Sequence, residues 1–498
     1  MLTRFLGFRN RAWFSGLVTL LLLPTSCTVG PNYHRPALNV PPRWSELSAG
    51  AETNSIAVIT NWWKAFQDPM LDSLVSRAVR SNLTLRSAWA RVVEVRAQRG
   101  VTAAGLWPSV NASASYSRNR LTGNYFLPLP PGTPLDYNLY QAGFDASWEL
   151  DLFGGTRRAL EAANAAIQGA EFNRRDVLVT LIAETARNYF EACGSQQRLE
   201  IARQSIAAQR DTLKLTRERF QAGVSSELDV HQAAALLAAT EVEVPTIETA
   251  LRTSVHRLGV LLGEPPGSLL PEFSTPHPLP LHVPPAPVGL PSDLLRRRPD
   301  IGRAERELAA ATASIGVAVA DLFPRFSLTG NAGLESVRAS DWFAPRSATW
   351  AAGPMVTWRI FQAGRIRANI HVQTARQEQA LANYEQTVLA SFEDVENALS
   401  GYTQEQARHQ SLELSVQAQR AALKLSQDLY RQGLADFLRV LESERALYQA
   451  EDALVQSQKA VSEDLIALYK AVGGGWETYE EGLRNSDDKN RNPKNGGR

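Results

Sequence analysis

Between Thr156 and Ala222 the chain contains no proline, and Ala, Arg, Glu, Gln and Leu dominate the run. These residues favour helices, so the segment predicts one helix of about 67 residues, on the order of 100 Å long at about 1.5 Å per residue. Globular helices average about 11–12 residues. A helix this long cannot bury its apolar stripe alone and needs other helices alongside, as in a coiled coil or helical barrel. Immediately before it the pattern is different. Ala142, Phe144, Ala146, Trp148 and Leu150 alternate with Gln141, Gly143, Asp145, Ser147, Glu149 and Asp151. A strict period of two predicts a strand with one apolar and one polar face.

The same design occurs again. Ala348, Trp350, Ala352, Pro354, Val356, Trp358 and Ile360 alternate with Thr349, Gly353, Thr357 and Arg359, and Phe361-Gln362-Ala363-Gly364 opens a second proline-free run to Gln432. The copies superpose at an offset of about 210 residues, a self-similarity that marks an internal duplication. Gly155 falls on Gly364, Asn188 on Asn397 and Leu213 on Leu423, and Phe220-Gln221-Ala222-Gly223 falls on Tyr430-Arg431-Gln432-Gly433. Ile206, Leu213 and Phe220 lie at heptad spacing, as do Val416, Leu423 and Tyr430, so each helix carries a packing seam.

Around these copies the punctuation is consistent. Asp68 followed by Pro69 reads as an N-cap and first helical position, opening a helical run to Gly105 with a break at Asn82. Leu106-Trp107-Pro108 ends that run, and Leu322-Phe323-Pro324 is its counterpart. Val110 to Ser117 and Phe326 to Glu335 alternate as further strands, so each half holds a hairpin. Gly223 and Gly433 read as helix-ending turns. Ser226 or Ser225, with Asp229 in the first turn, starts one returning helix, through Pro245 towards Leu262-Gly263. Asp436 starts the other, to about Val472. Ten of the 27 prolines lie from Pro265 to Pro291, which predicts an extended connector. His277 and His282 there read as loop residues. Arg296-Arg297-Arg298 reads as a solvated helix start, since no interleaved aromatics or wider basic patch supports nucleic-acid binding.

At the N-terminus, Arg4, Arg9 and Arg11 precede an apolar core from Ala12 to Leu23. Residues 1–26 therefore read as an export signal, with Cys27 the lipidated N-terminus of the mature chain. The other cysteine, Cys193, reads as a small packing residue. A formal net charge of +1 across 498 residues gives no global field for nucleic acid or acidic substrates. No run of 18 apolar residues occurs, so no transmembrane helix is expected. The histidines are scattered, and no nucleophile motif, metal-ligand spacing or phosphate-binding loop stands out; neither an enzyme nor a cofactor is expected.

Four strands of about ten residues have the length to cross a bilayer at a tilt. They cannot close a barrel alone, and open edges in lipid would leave backbone groups unpaired. Two copies would supply about eight strands and a filled lumen; more would widen it.

The segment Cys27-Thr28-Val29-Gly30-Pro31-Asn32-Tyr33-His34-Arg35-Pro36 resembles the mature start of outer-membrane factor lipoproteins, TolC-like and of the NodT type. So do Asn61-Trp62-Trp63, Leu294-Leu295-Arg296-Arg297-Arg298-Pro299-Asp300-Ile301, Ala304-Glu305, Ile315-Gly316-Val317-Ala318 and Leu322-Phe323-Pro324. The resemblance covers most of residues 27–476. It implies a mainly α fold with membrane β: a homotrimer sharing a twelve-stranded barrel continuous with a periplasmic α-helical barrel, in the outer membrane. The domains are then a signal peptide (1–26), an N-terminal extended segment (27–60), two repeats (61–263 and 293–476), a Pro-rich connector (264–292) and a disordered polar tail (477–498). The implied function is a passive exit duct of an efflux or secretion system, working with a periplasmic adaptor and an inner-membrane pump of the RND type. The family's periplasmic gate follows the turns at Gly223 and Gly433, which maps it onto Asp229, Asp436, Arg439 and Glu442. Arg439 departs from the family's acidic residues, and opposite charges at the tips would form inter-helix ion pairs. The alternative is a non-conducting periplasmic coiled-coil scaffold or adaptor.

Overall fold

The computed structural model describes residues 28–46, 60–122, 130, 132, 134–279 and 291–479. The expected export signal, Cys27 and His282 lie outside them. The chain divides into two units. One gathers residues up to Pro36 with Glu94–Gln168 and Arg306–Ala382; the other gathers Ala37–Val93, Gly169–Glu305 and the residues from Asn383.

The first unit is built on one antiparallel sheet of four strands, β1 (Ser109–Arg120), β2 (Asp136–Leu150), β3 (Arg325–Ser336) and β4 (Ala348–Thr357), in that spatial order. Its register keeps parity across every strand. Val110, Ala146, Gly330 and Ala352 form one row, and Ala112, Phe144, Ala332 and Trp350 another. Asn111, Asp145, Asn331 and Ala351 form a row between them. The alternation of each strand thus adds into a sheet with an apolar even face and a more polar odd one. Much of the apolar face is open among the described residues: Phe144 is 62 % exposed and Trp350 78 %. β4 stops at Thr357, three residues short of the expected Ile360, because its partner β3 begins only at Arg325, after Pro324. Pro354 lies on β4, an edge strand within the single chain.

The N-terminal segment is pinned into this unit. The buried Arg158 donates from Nε to the Val29 carbonyl at 3.0 Å and from Nη2 to Asn32 Oδ1 at 2.8 Å. Gly30 lies so close to Gly316 that a Cβ on it would sit 2.4 Å from the Gly316 Cα.

The duplication is visible residue by residue. Eight α-helices are described: α1 (Pro69–Ser81), α2 (Leu83–Ala104), α3 (Gly155–Gln221), α4 (Glu227–Leu261), α5 (Pro291–Arg297), α6 (Pro299–Ala320), α7 (Arg365–Arg431) and α8 (Phe437–Ala471). The long helices α3 and α7 have 67 residues each, and the returning helices α4 and α8 have 35 each. Positive-φ glycines punctuate both copies at Gly154 and Gly364, Gly223 and Gly433, and Gly263 and Gly473. Gly154, rather than Gly155, is therefore the counterpart of Gly364. Trp148 donates its indole N–H to the Leu106 carbonyl at 2.9 Å, and Trp358 donates to Leu322 at 3.0 Å. Both junctions between helix and strand are tied by the same bond. α4 continues through Pro245.

The second unit holds the main core. Asp68 caps α1, accepting from the backbone N–H groups of Met70 and Leu71, and also accepts from the Tyr189 hydroxyl. Asn82 breaks the run between α1 and α2 and donates to the Leu261 carbonyl at 2.8 Å. Trp62 stacks on Tyr469 with centroids 5.1 Å apart, among Phe66, Phe190, Leu258 and Leu465. Cys193 is buried in this core, as its packing role requires.

Three expectations change here. The connector is not extended over its described part: Leu269, Phe273 and Leu279 are buried in the core, and Gln196 donates to the Phe273 carbonyl. The tail is ordered at its start, where Tyr479 stacks on Trp63 and Thr478 bonds Asn61; residues 480–498 lie outside the described set. Arg298 is not solvated. Its guanidinium forks onto Asp300 at 2.7 and 3.0 Å, reaches Asp394 at 2.9 Å and donates to the Ala471 carbonyl at 3.0 Å. The basic run therefore supplies an internal cation that ties α6, α7 and α8. Removing one member of a partly buried pair leaves the other charge without its partner. Replacing Arg298 with Met should lower the unfolding temperature of the detergent-solubilised protein, whereas Arg296→Met should leave it nearly unchanged; thermal melts compare the two.

Candidate functional site

The expected site residues cluster at the two helix turns. α3 ends in a Schellman motif: Val224 N–H bonds the Arg219 carbonyl at 2.9 Å, and Gly223 N–H bonds Phe220 at 2.9 Å. α7 ends the same way, with Leu434 N–H on Leu429 at 2.9 Å and Gly433 N–H on Tyr430 at 3.0 Å. Both turns require a left-handed residue, and Gly223 (φ 71°) and Gly433 (φ 75°) supply it.

After the first turn, Ser226 and Asp229 form a reciprocal capping box. Ser226 N–H donates to Asp229 Oδ2 at 3.0 Å, and Asp229 N–H donates to Ser226 Oγ at 3.2 Å. Ser225 Oγ adds a second bond to the same carboxylate at 2.8 Å. Burial alone would raise the Asp229 carboxyl, but the hydrogen bonds from Ser226 and Ser225 outweigh it and hold it below its usual range. After the second turn, Asp436 caps α8 by accepting from the Arg439 N–H at 3.2 Å. Arg439 and Glu442 project into solvent and approach each other to 3.9 Å on the same helix. The inter-helix ion pairs expected at the tips are therefore not formed within one chain. Asp229 and Asp436 serve their own helices, and Arg439 pairs three residues along.

The pattern reading missed what lies behind the turns. Tyr430 is buried, with the Arg219 guanidinium 4.4 Å from its ring centroid and the Phe437 ring 5.4 Å away. Leu213, Ala233, Val440 and Leu441 complete that cluster. The heptad stripe had marked Leu213 and Tyr430, but Phe220 of the same stripe is 43 % exposed. Val224 and Leu434, at the turns themselves, are 64 % and 72 % exposed.

The second functional feature is the sheet. Its odd face carries cross-strand polar bonds: Ser115 Oγ to Gln141 Oε1 at 3.3 Å and Gln141 Nε2 to Glu335 Oε2 at 3.2 Å. Its even face is the open apolar surface described above. One face suits water and the other hydrocarbon. Among the described residues no helix is long and apolar enough to cross a membrane, and no group of three or more His, Cys, Asp and Glu could hold a metal ion. Burial pushes the Cys193 thiol up to about 12.

Known proteins match this chain along nearly its whole length. The outer membrane efflux protein family matches residues 74–264 and 290–474. The pyoverdine export outer membrane protein OpmQ of Pseudomonas aeruginosa is 35% identical over 478 residues, spanning 95% of this chain and 98% of its own length. Nodulation protein T of Rhizobium leguminosarum bv. trifolii is 31% identical over 460 residues, 91% of this chain and 96% of its own. Among solved structures, the outer-membrane channel OprN superposes with a TM-score of 0.84 at 38% identity, covering 91% of this chain and 100% of its own. The CmeC outer membrane channel of Campylobacter jejuni gives 0.86 at 25% identity, covering 93% of this chain and 98% of its own. Fold, membrane-facing sheet and relatives agree: the chain belongs to the outer membrane efflux protein family, with the TolC-like fold and the outer-membrane location of an efflux exit duct.

Proposed function

We propose that three copies close one barrel of twelve strands and conduct small molecules passively from periplasm to exterior, gated at the helix turns. The observation that carries this is the sheet: four strands with an apolar face, a polar face and two unpaired edges. Three copies join β4 of one chain to β1 of the next, place the odd face on a water-filled lumen, and give the even face to lipid. The long helices pack alongside their symmetry mates and extend the duct into the periplasm. A lipid on Cys27 anchors the mature N-terminus in the same membrane. Energy comes from an inner-membrane pump of the RND type, bridged by a periplasmic adaptor.

Purified protein in a planar bilayer should give discrete single-channel currents. Absence of conductance from a folded oligomer would favour a non-conducting scaffold instead.

The gate is assigned to Asp229, Asp436, Arg439 and Glu442. Exposed ion pairs are worth about 0–1 kcal/mol each, so a resting closed state built from them shifts readily when an adaptor binds. Replacing Asp229 and Arg439 together should raise open probability; unchanged currents would remove these residues from the gate. The sign of the acid response follows from Asp229. Its folded value is lowered, so its cap stabilises α4 above the ordinary carboxylate range and loses that effect as pH falls through the lowered value. Hydrogen exchange in the first turn of α4 should speed up in acid relative to its intrinsic rate, and Asp229→Asn should remove the step. Ser226→Ala should weaken the same turn by about 1 kcal/mol at neutral pH.

A further inference from the structure

The core stripe of α8 is apolar at Phe437, Val440 and Leu441, and again at Tyr448 and Val455. Between these groups, one turn from Leu441 and one from Tyr448, the stripe carries Glu444, which is 5 % exposed. Its Oε1 accepts from Thr212 Oγ1 of α3 at 2.7 Å, and Gln427 of α7 also bonds the carboxyl. Its Oε2 is buried and has no hydrogen-bond partner.

No basic side chain neutralises this group. The side chains acting on it are the hydroxyl of Thr212 and the amide of Gln427. On the side of the turns lies the apolar cluster of Leu213, Ala233, Tyr430, Phe437 and Leu441, with Arg219 engaged on the Tyr430 ring. On the other side, α4 presents Glu243, which accepts from the Tyr448 hydroxyl at 2.7 Å, and Arg198 of α3 pairs with Asp452 at 2.6 Å. Arg219 and Arg198 are thus engaged elsewhere, and no basic side chain among the described residues acts on the Glu444 carboxyl. Packing does not require an acid at this level either. The repeat makes Ala234 of α4 the equivalent position, and that residue packs against the cluster behind the turns.

We propose that Glu444 is a proton-operated latch on the helix seam behind the turns: neutral, it lets α3, α7 and α8 close; ionised, it loosens them. An ionised carboxylate without a counter-charge is costly in an apolar seam, and opening the seam returns it to water. Burial accordingly pushes its pKa up in the closed state. A group whose closed-state value is raised stabilises closure at low pH and loses that effect as pH rises through the raised value. This is opposite in sign to the Asp229 cap and acts on the other returning helix. That the latch serves conduction rests on the gate proposed above; the titration of the seam does not.

The test uses full-length protein in detergent, with amide exchange followed along residues 437–448 and corrected for intrinsic rate. Between the ordinary carboxylate value and the raised one, the opening constant should climb by up to tenfold per pH unit, then level off. Glu444→Gln, which keeps the shape and stays neutral, should show no such climb, and neither should Glu444→Ala, which copies the first repeat. Identical pH profiles for wild type and both variants would overturn the proposal. So would a wild-type response set by sodium or potassium concentration at fixed pH, because a bound cation would then be the neutralising partner. Single-channel recording separates the two readings. If exchange follows pH and open probability does not, the latch stands and its coupling to the gate is lost.

Discussion

A peptide group in hydrocarbon has no water to bond, and an unpaired one costs several kcal/mol. The rest of the structure depends on that constraint. The sheet has four strands, so β1 and β4 each present a free edge, and its even rows offer Phe144, Trp350 and Val356 to whatever lies outside. In water the exposed face would invite aggregation, and in lipid the open edges would be untenable for a single copy. Pairing β4 with the β1 of another copy resolves both, because the register already places every apolar residue on one side. No helix is needed to cross the membrane, and none among the described residues has the apolar length to do so.

The helices answer a related demand. A long helix with a narrow apolar stripe is stable only against neighbours. Here α4 and α8 return along α3 and α7 after turns of one design, with a left-handed glycine and a capping side chain at each. The seam between them is not uniformly apolar. Thr216, Gln209 and Glu444 are buried within it, and Thr212 is half-buried. Buried polar groups weaken packing relative to leucine, and that suits the gate proposed at the turns. The main core, around Trp62, Tyr469 and Phe190, is apolar and aromatic, and Arg298 ties three helices beside it.

Much of this was legible from residues alone. Period-two alternation marked all four strands, the absence of proline marked both long helices, Asp68, Asp436, Gly223 and Gly433 announced their caps, and the first returning helix was narrowed to a start at Ser226 or Ser225, because these signals are local. What was not legible depended on contacts distant in sequence. The end of β4 is decided by where β3 begins. Arg298 looked solvated because Asp394 and the Ala471 carbonyl, which receive its guanidinium, lie far along the chain. The prolines of the connector suggested an extended linker, yet Gln196 and the core hold its described part in place. At the turns, the sequence showed opposite charges but not that Asp229 and Asp436 would be occupied by their own helices.

The central claim is that the sheet is completed only by other copies. Cysteine pairs, one on β1 and one on β4, scanned along both edges and oxidised in the membrane, test it directly. The account requires at least one register to give a covalent trimer ladder on a denaturing gel, with no crosslink in the monomer band. Disulfides closing only within single chains, in protein of monomeric mass, would contradict it.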